Sequence, residues 1–307
     1  MKNTRGDAMI RLLLLGNFLL FLLIPTFAFS AETLKFRPLQ SITTDATGRG
    51  LKMPHGVACD AAQVVAADTG NGRLLRYQLD NGVLIGGVEI KSEQIPSPVR
   101  VQISRAGEIF VLDGALHKIA RLGADGTFVS YVEPEAETGS IMPQSFRLDS
   151  NDNLWILDSA GSRVIVLDAQ GKRLRQIAMP VAAITPLDLD VAINGDVVLL
   201  DSAAGAIYLA RSEDKAFSLL QQGLFEYLAY PAYLLADRRG MLVVIDKNEG
   251  GIGLLGADGT FIGRQLGMGW KAGLLNYPEQ ACFTPSGIFI IADRNNGRLQ
   301  TFATGQP

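Results

Sequence analysis

Cysteine and histidine are scarce in this chain, with two of each among 307 residues. So few cysteines exclude a disulfide-stapled scaffold, and so few histidines exclude a zinc site built on three of them. Positive charge is not in excess either: 28 lysines and arginines face 31 aspartates and glutamates, a formal charge of −3. That balance argues against nucleic acid as a partner. The apolar run Leu12 to Ile24 has 13 residues, short of the roughly 20 that a membrane-spanning helix needs. No cysteine follows it, which argues against a lipoprotein anchor. What the chain does have is 48% hydrophobic residues and 33 glycines. That is the composition of a turn-rich globular protein able to bury a core.

The first thirty residues differ in kind. Lys2, Arg5 and Arg11 precede the apolar run, and Pro25 and the small-residue stretch Ala28-Phe29-Ser30 follow it. Residues 1–30 therefore read as a signal peptide cleaved before Ala31, with either Met1 or Met9 as the start. An uncleaved anchor, crossing at a tilt from Leu12 to Phe29, is the alternative. Both readings predict a periplasmic or secreted protein. Cleavage leaves no stable membrane insertion and a formal charge of −5 on residues 31–307.

Self-similarity organises the remainder. An aspartate closes an apolar β-type run at Asp68, Asp113, Asp158, Asp201, Asp246 and Asp293, at spacings of 45, 45, 43, 45 and 47. A proline stands 15 residues before each of the last five, at Pro98, Pro143, Pro186, Pro231 and Pro278, and Pro54 stands 14 before the first. The third repeat shows the content of each. Phe146 and Leu148 alternate after Pro143, a turn at Asn151-Asp152-Asn153 leads into Leu154–Asp158, Arg163–Leu167 follows, and Leu174–Ile177 makes a fourth strand. Four short antiparallel strands have two apolar faces and cannot cover both alone. Six such units must stand round an axis and bury one another. The sequence thus predicts an all-β, six-bladed β-propeller over residues 31–307, with four-stranded antiparallel blades. The sixth repeat ends after its third strand at Thr301-Phe302-Ala303. Residues 33–42, of β composition and outside any repeat, are expected to supply its fourth and close the ring.

The turns after the aspartates carry a resemblance. Asp68-Thr69-Gly70-Asn71-Gly72-Arg73-Leu74 and Asp293-Arg294-Asn295-Asn296-Gly297-Arg298-Leu299 resemble the aspartate-to-arginine signature of NHL repeats, here of an exported bacterial type. The physical content is a tight turn needing positive φ, whose aspartate accepts turn amides and pairs with the base five residues on. Asp158 with Arg163 repeats it and Asp113 with Lys118 approximates it. Ala206 and Gly251 stand where the base belongs in blades four and five, so those turns need another hold. A residue used once per blade serves the blade. Asp68, Asp113, Asp158, Asp201, Asp246 and Asp293, with Arg73, Arg163 and Arg298, are accordingly read as turn fasteners and not as catalysts.

Function is sought where the blades differ. The first strands bring unlike residues to the central channel: His55, Arg100 and Gln102, Gln144 and Arg147, Asp188 and Asp190, Tyr233, and Glu279 with Gln280. Arg100 and Arg147, at corresponding places in their blades, are expected to face Asp188 and Asp190. Either they form an internal ion-pair network or they line a polar pocket. Six-bladed relatives of this kind include calcium-dependent lactonases, amidating lyases and streptogramin lyases, which gather metal ligands or a general base at the channel mouth. Only His55 and His117 could supply imidazole here. Asp188, Asp190 and Glu279 could offer oxygens to calcium, but the neighbouring arginines oppose a cation. A second calcium-like pattern, Asp149-Ser150-Asn151-Asp152-Asn153, lacks the glycine and glutamate of a binding loop and reads as a turn.

The loops on the same face carry Tyr131, Glu133, Glu135, Glu137, Phe225, Glu226, Tyr227, Tyr230, Trp270 and Tyr277, a rim of aromatic and acidic residues. With no catalytic constellation in the sequence, the leading expectation is a binding or scaffold propeller without cofactor, holding a protein, peptide or extracellular polymer on this face. The alternative is a hydrolase or lyase at the channel mouth, lactonase-like or amidating-lyase-like, acting through His55, Asp188, Asp190 and Glu279 with or without calcium. Cys59 and Cys282 fall on neighbouring first strands. The expectation is that these lie too far apart for the bridging limit of about 7 Å between α-carbons, leaving two buried thiols.

Overall fold

The computed structural model describes residues 34–134, 140–183 and 185–305. The expected signal peptide and the rim residues Glu135 and Glu137 lie outside them. The described strands form six four-stranded antiparallel sheets, each in simple sequential order except the last. This is a six-bladed β-propeller. The inner strands are Gly56–Cys59, Pro98–Ile103, Pro143–Leu148, Pro186–Val191, Pro231–Ala236 and Pro278–Phe283. The strands next to them, such as Leu154–Asp158 and Leu242–Asp246, are buried along their whole length. They are continuous apolar runs because a neighbouring blade covers each face of the sheet. The core is correspondingly divided among the interfaces between blades. Trp155, Leu157 and Val164 of blade three, for example, pack on Leu189, Val197 and Leu199 of blade four.

The ring closes as the strand count requires. Lys35–Ile42 runs antiparallel to Arg298–Gly305, so the sixth sheet takes its outermost strand from near the start of the chain. Phe36 then packs edge-on against Phe289 and Phe302 at 4.9 and 6.3 Å between ring centres. A second fastener crosses the same junction. Cys59 and Cys282 form a disulfide, their α-carbons 6.0 Å apart. This corrects the expectation of two free thiols: near the axis the inner strands of blades six and one converge to within bridging distance.

All six blade aspartates are inaccessible to solvent. Each accepts the amide of the residue one or two before its own blade's proline, as from Lys52 to Asp68, Met142 to Asp158 and Asn276 to Asp293, at 2.7–2.9 Å. Each carboxylate therefore ties the end of the second strand to the start of the first. The fourth residue after each aspartate has positive φ, between 48° and 63°: Gly72, His117, Ser162, Gly205, Gly250 and Gly297. Arg73, Arg163 and Arg298 pair with their aspartates at 2.7–2.8 Å. Lys118 departs from the pattern, its ammonium lying over the Tyr131 ring at 4.8 Å. In blade five Arg264 reaches in from the fourth strand to Asp246 at 3.2 Å. Its guanidinium fills the space that any side chain at Gly251 would need, 2.7 Å from an added β-carbon.

Candidate functional site at the channel mouth

The inner strands start at their prolines on the loop face and descend through the channel. Two residues below the proline stand Gly56, Arg100, Ser145, Asp188, Tyr233 and Gln280, and four below stand Ala58, Gln102, Arg147, Asp190, Leu235 and Cys282. Arg100 and Arg147 are thus on different levels, a correction to the expectation that they correspond. Arg100 shares its level with Asp188, and Arg147 shares its level with Asp190. Strand pairing is also irregular just below the prolines of blades two to six, as between Pro143 and Ser145 and between Pro278 and Ala281. Such bulges re-aim the residue they contain, here Gln144 and Glu279, toward the opening.

Midway down, the channel is plugged. Asp188 receives Ser145 Oγ at 2.5 Å, the Leu234 amide at 2.9 Å, Arg147 Nη2 at 3.2 Å and Arg100 Nη1 at 3.3 Å. Asp190 takes Arg147 Nε at 3.1 Å and the Ala236 amide at 2.6 Å. Arg147 returns a bond to the Leu234 carbonyl at 3.0 Å. The Tyr233 ring lies beneath both guanidinium groups, 4.6 Å from Arg147 and 5.1 Å from Arg100. Burial pushes its phenol well above the usual range, and the neutral hydroxyl donates to the Ala281 carbonyl at 3.0 Å. Gln280 completes the plug by bonding both the amide and the carbonyl of Val101, at 3.1 and 2.8 Å. It reaches blade two across blade one because Gly56 has no side chain to block it; a β-carbon there would lie 3.1 Å from Gln280 Oε1.

Above the plug, a pocket of about 150 Å³ opens on the loop face, lined by His55, Val99, Arg100, Gln144, Tyr233, Glu279 and Gln280. Below it, a second cavity of about 230 Å³ is lined in part by Gln102, Arg147, Asp190, Arg238 and the disulfide. His55 is half-buried at the upper mouth. Burial pushes its imidazole down to about 4; Glu279 opposes that shift, while Arg294, Lys247 and Arg100 reinforce it. The imidazole is therefore neutral at physiological pH. Glu279 pairs with Lys247 Nζ at 2.7 Å and lies 3.9 Å from Arg294 Nε. Both cations also sit over the Tyr277 ring, at 4.7 and 5.3 Å.

The structure therefore sorts the sequence candidates into two groups. His55, Arg100, Gln144, Tyr233 and Glu279 share the upper pocket, whereas Arg147, Asp188 and Asp190 belong to the plug and the space below. The three carboxylates offered to calcium do not converge. Asp188 and Asp190 are taken up by guanidinium and amide donors and Glu279 by Lys247, so this donor set does not fit a cation. Among the described residues no group of three or more His, Cys, Asp or Glu is placed to hold a metal. The turn at Asp149 likewise spends its carboxylate on the Asn151 and Asn153 amides and on Trp155 Nε1.

Lys247 and Arg294 were missed in the sequence, although a signal was there. They are the residues immediately after a blade aspartate, where the other blades have Thr69, Gly114, Ser159 and Ser202. Thr69 and Ser202 use that place to donate to the proline carbonyl of the next blade, at 2.6 and 2.5 Å. Blades five and six put a cation there instead. On the rim, Phe225, Tyr227 and Trp270 are exposed, Trp270 to 77%, while Tyr131, Tyr230 and Tyr277 are half-buried.

No family model matches the chain, and no curated protein does. Among solved structures it is similar to virginiamycin B lyase from Staphylococcus aureus, at 14% identity and a TM-score of 0.63, covering 88% of this chain and 99% of that one. It is similar to a streptogramin B lyase at 15% and 0.61, covering 89% and 98%. A gluconolactonase of Xanthomonas campestris matches at 13% and 0.64, covering 88% and 95%. At these identities the likeness establishes the shared six-bladed fold.

Proposed function

We propose that the upper channel mouth is an active site for hydrolase or lyase chemistry, with His55 as its base. The observation that carries this is the placement of a half-buried imidazole beside Arg100 and Glu279 in a small polar pocket; burial keeps it unprotonated, making it a weaker base but a stronger acid when the proton is returned. A neutral imidazole takes a proton either from attacking water or from a carbon next to a carbonyl. In the first case a C–O bond is hydrolysed; in the second it breaks with formation of a C=C bond. The proton returns from His55 to the departing oxygen in both. Arg100 is positioned to stabilise negative charge developing on the carbonyl oxygen, and Glu279 with Lys247 orients the groups round the imidazole. That the chain's structural neighbours include a gluconolactonase and a streptogramin B lyase supports hydrolase or lyase chemistry. Assay of lactones, esters and cyclic depsipeptides tests the proposal. His55→Gln should lower turnover by a factor of about 10²–10⁴, and undiminished turnover in that variant would remove the imidazole from the mechanism.

The binding reading keeps one observation in its favour. Phe225, Tyr227, Met268 and Trp270 are exposed on the loop side of blades four to six, an apolar rim suited to a protein, peptide or polymer partner. Under either reading the disulfide supports an oxidising compartment, periplasmic or extracellular, as the signal-like residues 1–30 do. The NHL-like turns support descent of the blades from one repeat. The acidic balance continues to disfavour nucleic acid.

A further inference from the structure

The charges of the channel do not balance, and the imbalance lies at its open end. Within the plug, Arg147 is matched by Asp188 and Asp190, and Arg100 shares Asp188. At the mouth Lys247 and Arg294 share the single carboxylate of Glu279. Four cations thus face three carboxylates, and the surplus falls to Arg294. Its Nε is buried and has no hydrogen-bond partner, since Glu279 Oε1 is engaged by Lys247 Nζ at 2.7 Å and lies 3.9 Å from Arg294. Arg294 is only a quarter exposed, and Lys247 less than that, so water screens them incompletely. Cations held this way normally have a partner. Neither residue is needed by the repeat, since Thr69 and Ser202 serve the same place elsewhere with a hydroxyl.

We infer that the mouth recognises an oxyanion, so that the molecule it binds carries a carboxylate or phosphate group seated between Arg294, Lys247 and Arg100. The size agrees. The pocket lined by Arg100 and Glu279, with Lys247 and Arg294 standing on Glu279 at its edge, has about 150 Å³, or about five waters at roughly 30 Å³ each, enough for a carboxylate or phosphate and one or two attached atoms. The rest of the ligand then lies over the loop face. Tyr277, whose ring already lies against both cations, keeps them from folding away, and Lys247 stays with Glu279 at a distance that leaves other N–H donors of the ammonium free to turn toward the ligand. The inference rests on the mouth being the functional site and adds the charge of what it binds; it predicts that neutral substrates are poor ones.

The test is binding, independent of turnover. Thermal unfolding of the full protein is followed at fixed ionic strength in increasing acetate, in inorganic phosphate, and in acetamide as the neutral isostere of acetate. Acetate or phosphate should raise the melting temperature saturably and acetamide should not, and the tighter of the two anions assigns the class. Arg294→Gln should weaken the anion's apparent affinity about tenfold and Lys247→Met should do so as well, while Arg238→Gln at the lower cavity leaves it unchanged. An equal response to acetate and acetamide, or responses in Arg294→Gln and Lys247→Met identical to the parent's, would overturn the inference. His55→Gln separates it from the catalytic reading, because that variant should keep anion binding while losing turnover. Saturable anion binding without turnover of any substrate defeats only the catalytic reading, and turnover of neutral substrates unaffected by Arg294→Gln defeats only this one.

Discussion

The plug and the mouth lie on the same inner strands a few residues apart, yet they treat charge in opposite ways. In the plug every carboxylate oxygen of Asp188 and Asp190 is met by a donor, and the Arg147 guanidinium is met from three sides. At the mouth a guanidinium N–H is buried without a hydrogen bond, and two cations share one carboxylate. Satisfied charge holds a fold together, whereas charge left unsatisfied near an opening is kept for something that arrives. The comparison locates function by subtraction. The residues most conspicuous in the sequence serve the architecture, and the less conspicuous ones are left to the site.

That division can be broken most forcefully at Asp188. Asp188→Ala removes the carboxylate that Arg147, almost fully buried, and Arg100, at the floor of the open pocket, both use, and should cost about 3–5 kcal/mol. Chemical denaturation of the purified variant measures it, and an unchanged midpoint would move Asp188 from the architecture to the site. Removing the bridge below the plug comes next. Cys59→Ala with Cys282→Ala frees a closure between residues 223 apart in sequence and should cost about 2–4 kcal/mol. Anion-dependent stabilisation at the mouth should persist in that double variant. The smallest effect is expected at the mouth itself. Lys247→Met removes an ammonium from a pair less than one-fifth exposed, but leaves Arg294 within 3.9 Å of Glu279, and should cost about 1–2 kcal/mol, with the larger loss appearing in ligand binding. A large destabilisation there would make the mouth part of the fold's own ion-pair network.

Much of this was legible in the sequence. Twelve landmarks in register gave six blades, the missing fourth strand gave the closure by Lys35–Ile42, and the identities of the channel residues brought Arg100, Arg147, Asp188 and Asp190 together. Three things were not. Which channel candidates turn to the mouth and which to the plug depends on a bulge below each proline, and a bulge leaves no mark in composition. The convergence of the inner strands that allows the Cys59–Cys282 bridge is a property of the closed ring, not of either strand. Lys247 and Arg294 were hidden by being next to the aspartates: adjacency to a structural residue suggested a structural role, and only the unlike residues of the other four blades at that place give them away.

The same chemistry sets a pH dependence. His55 is pushed down to about 4 from an ordinary 6.5, so between those values the unfolded chain binds the extra proton and stability falls as pH drops through that window. The charged groups that act on it are Glu279, which opposes the shift, and Arg294, Lys247 and Arg100, which favour it.

With only two histidines in the chain, the imidazole itself can be watched. NMR titration of the His117→Gln variant leaves one imidazole signal, that of His55. The account predicts that it stays neutral down to a midpoint near pH 4, and that Arg294→Gln moves the midpoint upward. A midpoint at or above the ordinary 6.5, unmoved by Arg294→Gln, would show that the mouth does not surround His55 with unbalanced positive charge, and would contradict the assignment of this end of the channel as the site.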